Sequence, residues 1–310
     1  MLHTMTFIPP AFSEQRYIGC LLGLALGDAI GARFEGMTAD FIRQQAPDHA
    51  ALAPGREVWY TDDTQMAIGV AEVLMHDGRI DVDRLYQQFV RNYEPQRGYG
   101  RGARHVLEAG DRYWEVASSI FPGGSYGNGA AMRVAPVGLF FAPDWARVWA
   151  EAERQALPTH VHPLGIEGAQ LLALAVAWAV QAERFAREEL FDLLEQHATH
   201  EVYRRKLAFA RSLSDASDLD LLGNGIEAQE SVVTAIASFV LSPDDHRAVV
   251  WRLIHLGGDT DTLAAMGGAL TGAFAGAAAL PADWLSSLER TPQGHDYLRE
   301  LGAQLRAKAR

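Results

Sequence analysis

Leu256-Gly257-Gly258-Asp259-Thr260-Asp261-Thr262 decides the reading of this chain. Two carboxylates and two hydroxyls sit within four residues, behind a glycine pair and ahead of a long apolar run. Far upstream, Trp59-Tyr60-Thr61-Asp62-Asp63-Thr64 answers it with the same chemistry. Hard cations such as Mg²⁺ take oxygen ligands, which clustered Asp and Thr supply. Each stretch alone also reads as a plain helix N-cap, where Asp and Thr are favoured. Taken together, four aspartates in two short helix starts would repel one another unless a cation lay between them.

The residues after the first stretch, Leu263 to Leu280, run for 18 positions without a charge, near the length of a membrane span. They are mostly Ala and Gly and are entered past two aspartates, so they read as a tightly packed core helix. Gly268, Gly272 and Gly276 recur there every four residues, and Gly19, Gly23, Gly27 and Gly31 do the same within Tyr17 to Ala32. Residues four apart share a helix face. The two smooth stripes predict close packing of these helices, which would bring Asp28 and Glu35 near Asp259. The alternative is that each stripe packs elsewhere in a crowded core. Helical periodicity continues through Asp63–Met75 (closed by Gly78), Asp81–Tyr93, Pro163–Ala182, Ile226–Leu241 and Asp244–Leu256. Sustained alternation of β-branched residues is absent. The expectation is an all-α protein, a compact orthogonal multi-helix bundle in a single domain over residues 1–310. Its core would span about residues 15–280, with surface helices at 281–310 and the acidic motifs facing each other at one mouth.

Composition narrows the function. Carboxylates outnumber Lys and Arg 39 to 27, giving a net charge of −12, a poor match to the basic footprint of nucleic-acid binding. The single cysteine, Cys20, excludes a disulfide framework and, in an apolar run, reads as a buried inert thiol. Met1 to Pro10 shows no basic segment followed by an apolar one, so no signal peptide is expected. A soluble, cytoplasmic protein without membrane contact is the expectation, and a monomer.

Two glycine-rich loops precede helices: Gly98-Tyr99-Gly100-Arg101-Gly102 and Phe121 through Gly129. Such loops expose backbone N–H groups and the positive end of the helix dipole, which suit phosphates. Glycines also simply make turns. The second loop carries Ser125, Asn128 and two aromatics, Phe121 and Tyr126, whose faces suit a nucleotide base. Arg133 reads equally as a salt-bridged core arginine or a ligand contact. His160 is expected to orient or contact phosphate, His162 to be structural, and Glu230 to hold a buried hydrogen-bonding role.

With these residues in hand, the chain resembles the ADP-ribosylglycohydrolase family, from about Gly19 to Gly276. The matching motifs are Gly19-Cys20-Leu21-Leu22-Gly23 with Gly27-Asp28; Tyr60 to Thr64; Gly127-Asn128-Gly129-Ala130-Ala131-Met132-Arg133; Thr159-His160; Glu230-Ser231; and Leu256 to Thr262. The run Gly124 to Gly129 and the loop at Gly98 look closest to the branch that removes ADP-ribose from serine and cleaves ADP-ribose polymers. The resemblance implies an all-α enzyme with two Mg²⁺ ions, or Mn²⁺ in their place, at that mouth. Thr61, Asp62, Asp63, Asp259, Asp261 and Thr262 would hold the metals. Glu35, Asp62, Asp63 and Asp259 would be catalytic, with Glu35 on a mobile flap. Gly98, Gly100, Gly102, Ser125, Asn128 and His160 would line the diphosphate and distal ribose, and Phe121 and Tyr126 the adenine. Partners would be ADP-ribose and ADP-ribosylated proteins. Arg101 departs from the small residue usual in that branch. Three alternatives stay open: an arginine-linked hydrolase of the same family, a non-catalytic ADP-ribose-binding protein, and other helical metal enzymes. Of these last, a His-Asp phosphohydrolase lacks its wider histidine pattern, and an isoprenoid synthase lacks a carboxylate where Gln65 and Met66 stand.

Overall fold

The computed structural model describes residues 8–309; residues 1–7 and 310 lie outside it, and with them most of the stretch searched for a signal peptide. Among the described residues sixteen α-helices follow one another, with isolated β-bridges and no strand. The first half runs α1 (Glu14–Gly31), α2 (Ala39–Gln45), α3 (Asp62–Asp77), α4 (Val82–Asn92), α5 (Arg101–Leu107), α6 (Tyr113–Ile120), α7 (Ala135–Phe141) and α8 (Trp145–Ala156). The second half runs α9 (Pro163–Gln181), α10 (Arg187–His197), α11 (Glu201–Ser212), α12 (Ala228–Leu241), α13 (His246–Ile254), α14 (Thr260–Ala275), α15 (Ala282–Ser287) and α16 (His295–Lys308). The all-α expectation therefore holds.

The two glycine stripes meet. A β-carbon on Gly19 would stand 2.5 Å from the Gly272 carbonyl oxygen, and one on Gly31 would stand 2.5 Å from that of Thr260. Between them, Gly23 faces the Gly268 carbonyl and Gly27 that of Ala264. Each four-residue step along α1 is matched by a four-residue step back along α14, so the helices are antiparallel and in backbone contact. The Thr260 hydroxyl closes the end of the pair by donating to the Gly31 carbonyl at 2.9 Å. Gly276, with φ of 79°, ends α14, so the charge-free run to Leu280 is a helix plus a turn.

Among the described residues the helix that matches a membrane span in length and hydropathy is α9, yet 83% of its apolar stretch is buried, and it packs against α7, α8, α12 and α14. Cys20 is fully buried, and burial pushes its thiol pKa up, as expected of an inert thiol.

The last thirty residues are not surface decoration. Trp284, Leu288, Leu298, Leu301 and Leu305 are buried, and Gly302 lets α16 ride on the α1 backbone at Ile18. Leu298, Leu301 and Leu305 stand at helical spacing on an otherwise charged helix, which is what seats it. Glu289 is fully buried and receives two bonds from Arg97, at 2.5 and 2.9 Å, and one from the Tyr60 N–H at 3.1 Å. Val58 also exchanges backbone bonds with this tail, its N–H donating to the Ser287 carbonyl and its carbonyl accepting from the Glu289 N–H.

Because Gly27 faces backbone rather than a movable side chain, Gly27→Ala should overpack the helix pair. Denaturant unfolding should show a loss of about 1–3 kcal/mol in stability.

Candidate active site

One buried carboxylate organises the first acidic loop. Asp28, on the α1 face beside Gly27, accepts from the Thr61 N–H at 2.9 Å and hydroxyl at 2.8 Å, and from the Thr64 N–H at 3.0 Å and hydroxyl at 2.5 Å. Glu289 receives the Tyr60 N–H just before them. The loop is thus pinned from both sides, and Asp62 and Asp63 open α3, where the helix dipole favours negative charge. Burial raises the Asp28 pKa to about 7 against the pull of its Thr64 bond.

The second loop is shaped by Gly257 and Gly258, whose φ values of 71° and 74° favour glycine. Their backbone latches the segment carrying Glu35: the Gly36 N–H donates to the Gly258 carbonyl at 2.9 Å, and the Gly258 N–H returns to Met37 at 3.1 Å. The Asp259 N–H is held by the Asn224 carbonyl at 2.9 Å. As a result, carboxylate oxygens of the exposed Glu35 and of buried Asp259 and Asp261 lie within 4.8 Å of one another. Asn128 donates to Asp259 at 2.5 Å and to Ser231 at 3.1 Å. The asparagine expected to meet ligand is therefore also the group that orients this aspartate.

The electrostatics are those of a site short of positive charge. Burial, then Asp28 and Asp261, raises Asp62 to about 8; burial, then Asp259 and Glu35, raises Asp261 to about 8. Burial drives Asp63 well above the usual carboxylate range and Asp259 upward. Asp63 Oδ1 is buried without a hydrogen-bond partner. An all-oxygen set of crowded carboxylates, one of them orphaned, fits a hard divalent cation.

A cavity of about 410 Å³ joins this cluster to the glycine-rich loops. Every site residue expected from the sequence lines it except Thr61, whose hydroxyl is turned to Asp28 and Asp63. Gly98, at φ of 84°, brings the first glycine loop against Thr61 and Asp62. Gly102 leaves the space that the Phe121 ring occupies, and Gly100 borders open space. Tyr126, half exposed, sets its ring edge-on to His162 at 5.6 Å, while Ser125 receives the Gly127 N–H. His162 itself caps α9 through Leu164, a structural role as expected. Burial and Arg133 lower the His160 pKa to about 3, so the ring is neutral.

Three sequence readings change in part. Arg133 is the buried core arginine of one reading, at the cavity wall, but Gln155 and Thr159 hold it where a carboxylate was expected. Glu230 is not buried but pairs with Lys206 at 2.9 Å. Asp28 is the functional residue whose anchoring role the sequence reading did not assign; its signal was a charge inside a glycine-striped apolar helix.

A family model described as ADP-ribosylglycohydrolase matches residues 9–310. An ADP-ribosylhydrolase ARH3 from Xenopus tropicalis is 35% identical over 94% of this chain and 96% of its own length. The Homo sapiens ADP-ribosylhydrolase ARH3 is 34% identical over 90% of each. An ADP-ribosyl-[dinitrogen reductase] glycohydrolase from Rhodospirillum rubrum is 28% identical over 89% of this chain and 91% of that one. A solved structure titled ADP-ribosylglycohydrolase-related protein complex superposes with a TM-score of 0.71 at 27% identity, covering 96% of this chain and 99% of that chain.

The raised carboxylates fix the sign of a pH effect in metal-free protein. A group whose folded pKa lies above its unfolded value binds more protons when folded, so its stabilisation is present at low pH and lost as pH rises. For Asp62 and Asp261 that loss runs from the ordinary carboxylate range up through about 8. The melting temperature of chelator-treated protein should fall from pH 5 to pH 8. Asp261→Asn, which keeps a neutral side chain, should flatten the slope.

Proposed function

The chain belongs to the ADP-ribosylglycohydrolase family and is a glycosyl hydrolase acting on ADP-ribosylated substrates, and from that premise we propose Mg²⁺-dependent cleavage of the C1″–O bond of serine-linked ADP-ribose. ADP-ribose polymer and O-acetyl-ADP-ribose, which carry the same kind of bond, are further substrates on this reading. The observation that carries the proposal is the convergence of Glu35, Asp259 and Asp261 in one cavity with a glycine-lined, aromatic-bearing extension. The serine assignment draws on the run Gly124 to Gly129 and the loop at Gly98, which resemble the serine-cleaving branch of the family.

On this reading Thr61, Asp62, Asp63, Asp259, Asp261 and Thr262 hold two metal ions, with Mn²⁺ an acceptable substitute. When bound, such ions stabilise charge on the leaving oxygen and lower the pKa of water. The chain's own residues do the rest. Gly98 and Gly100 let backbone approach the diphosphate, Gly102 in the same loop seats the Phe121 ring, and Phe121 with Tyr126 holds the adenine. Asp259, kept in place by Asn128, gives a proton to the departing serine oxygen as the glycosidic bond breaks through an oxocarbenium-like state, and takes one back from the water that adds to C1″. Glu35 stands at the exposed edge of the cluster, where it orients the attacking water. Arg101, exposed on the cavity wall, lies within the diphosphate loop and adds a cation there.

The test is release of ADP-ribose from serine-linked, arginine-linked and polymeric substrates. Release from the serine-linked substrate should stop in chelator and return with Mg²⁺. Glu35→Gln should lower turnover far more than ADP-ribose affinity, as for an interaction made mainly in the transition state. Tyr126→Ala should do the reverse, weakening affinity by about three- to tenfold. Release from the arginine-linked substrate alone would move the acceptor assignment to the other branch of the family.

A further inference from the structure

His160 is a neutral ring in the cavity wall, and a neutral imidazole has one nitrogen that donates and one that accepts. Which is which decides what it can recognise. The ring's Nδ1 lies 2.7 Å from the Thr159 hydroxyl. Its Nε2 faces the ligand loop, within 3.6 and 3.3 Å of where β-carbons on Gly127 and Gly129 would stand.

The direction of the Nδ1 bond is set one residue deeper. Arg133 Nη2 lies 2.9 Å from the same Thr159 oxygen, and a guanidinium only donates. The rest of that guanidinium is held too: Nε donates to Gln155 Oε1 at 3.0 Å, and Nη2 donates also to the Gln155 carbonyl at 2.8 Å. Gln155 cannot turn, because its Nε2 donates to the Ala130 and Ala152 carbonyls at 2.9 and 3.1 Å. The Thr159 oxygen therefore accepts from Arg133. Its single proton has one acceptor within reach, the His160 Nδ1.

We infer that Arg133 and Thr159 are positioning residues that lock His160 as the Nε2–H tautomer, presenting a fixed N–H donor to an oxygen of the bound ligand. The chemistry recognised is an acceptor oxygen, from phosphate or from ribose hydroxyl. With the other tautomer a lone pair would face the ligand, repelling a phosphate oxygen and only accepting from a hydroxyl. Buried Arg133, which has no carboxylate among its direct partners, acquires a purpose: its charge polarises the relay without leaving the core. The identity of the ligand rests on the ADP-ribose reading, whereas the tautomer is a property of the free protein.

Two measurements test this. In protein with ¹⁵N-labelled histidine at neutral pH, with the His160 signals assigned by loss in His160→Asn, Nε2 should carry the proton and Nδ1 should not. An Nδ1–H ring or an imidazolium there overturns the inference, whether or not ADP-ribose binds. In calorimetry, Thr159→Val should weaken ADP-ribose binding about tenfold, the loss of one well-made hydrogen bond to a charged or polar partner. Thr159→Ser, which keeps the hydroxyl, should stay close to wild type in affinity and tautomer. A folded Thr159→Val protein with wild-type affinity and an unchanged tautomer removes the relay. Should that variant not fold, the wild-type spectrum still decides. Correct tautomer with no ADP-ribose binding by the wild type leaves the relay standing and fails the proposed function instead.

Discussion

Backbone-to-backbone contact between α1 and α14 is the constraint on which the site depends. Four glycines on one helix face carbonyls on the other, and no side chain separates them. The contact fixes the spacing of the two helices, and both acidic loops are attached to that pair. Asp28 projects from α1 to hold Thr61 and Thr64, and Asp259 and Asp261 open α14. A larger residue in the stripe would separate two carboxylate groups that have to converge on the same small volume. Close approach also means that the site inherits the rigidity of the core rather than the freedom of its loops.

Convergence of that kind works against the folded state. Asp28, Asp62, Asp63, Asp259 and Asp261 sit where burial and one another's charge disfavour ionisation. The fold offsets this locally: hydroxyls and N–H groups saturate Asp28, Asn128 supports Asp259, and the start of α3 underlies Asp62 and Asp63. Asp63 Oδ1 remains without a partner. Strain of this type at a cavity wall is how binding sites differ from the remainder of a protein, because the missing interaction is one a ligand supplies.

Much of this was legible in the sequence, and the reasons divide cleanly. Glycines at every fourth position are a statement about one helix face, so the α1–α14 contact could be read from Gly19 to Gly31 against Gly268 and Gly272. Clustered Asp and Thr at a helix start carry their chemistry in their own side chains, so Asp62, Asp63, Asp259 and Asp261 could be found too. What failed were residues whose meaning lies in a distant partner. Glu289 looks like any charged residue before a surface helix until Arg97 arrives from 192 residues away and Tyr60 from 229. Glu230 stands just ahead of an apolar run and reads as buried, yet it is partly exposed and pairs with Lys206. Asn128 was legible as a cavity residue, but its hold on Asp259 depends on a loop that the sequence does not place beside it.

The Glu289 connection also bears on how the protein is made. During synthesis the amino-terminal helices leave the ribosome long before residue 289, and domains acquire structure as their contacts become available. Until that glutamate emerges, Arg97 has only the nearby Glu94 for a carboxylate partner and the Tyr60 N–H lacks its acceptor. α1 likewise waits for α14 and α16, its partners from the other end of the chain. Contacts between such distant segments carry a large loop-closure entropy and form late. A nascent or prematurely terminated chain would thus hold most of its helices yet lack set catalytic loops, and would expose a glycine-striped apolar surface that other chains or a chaperone could meet.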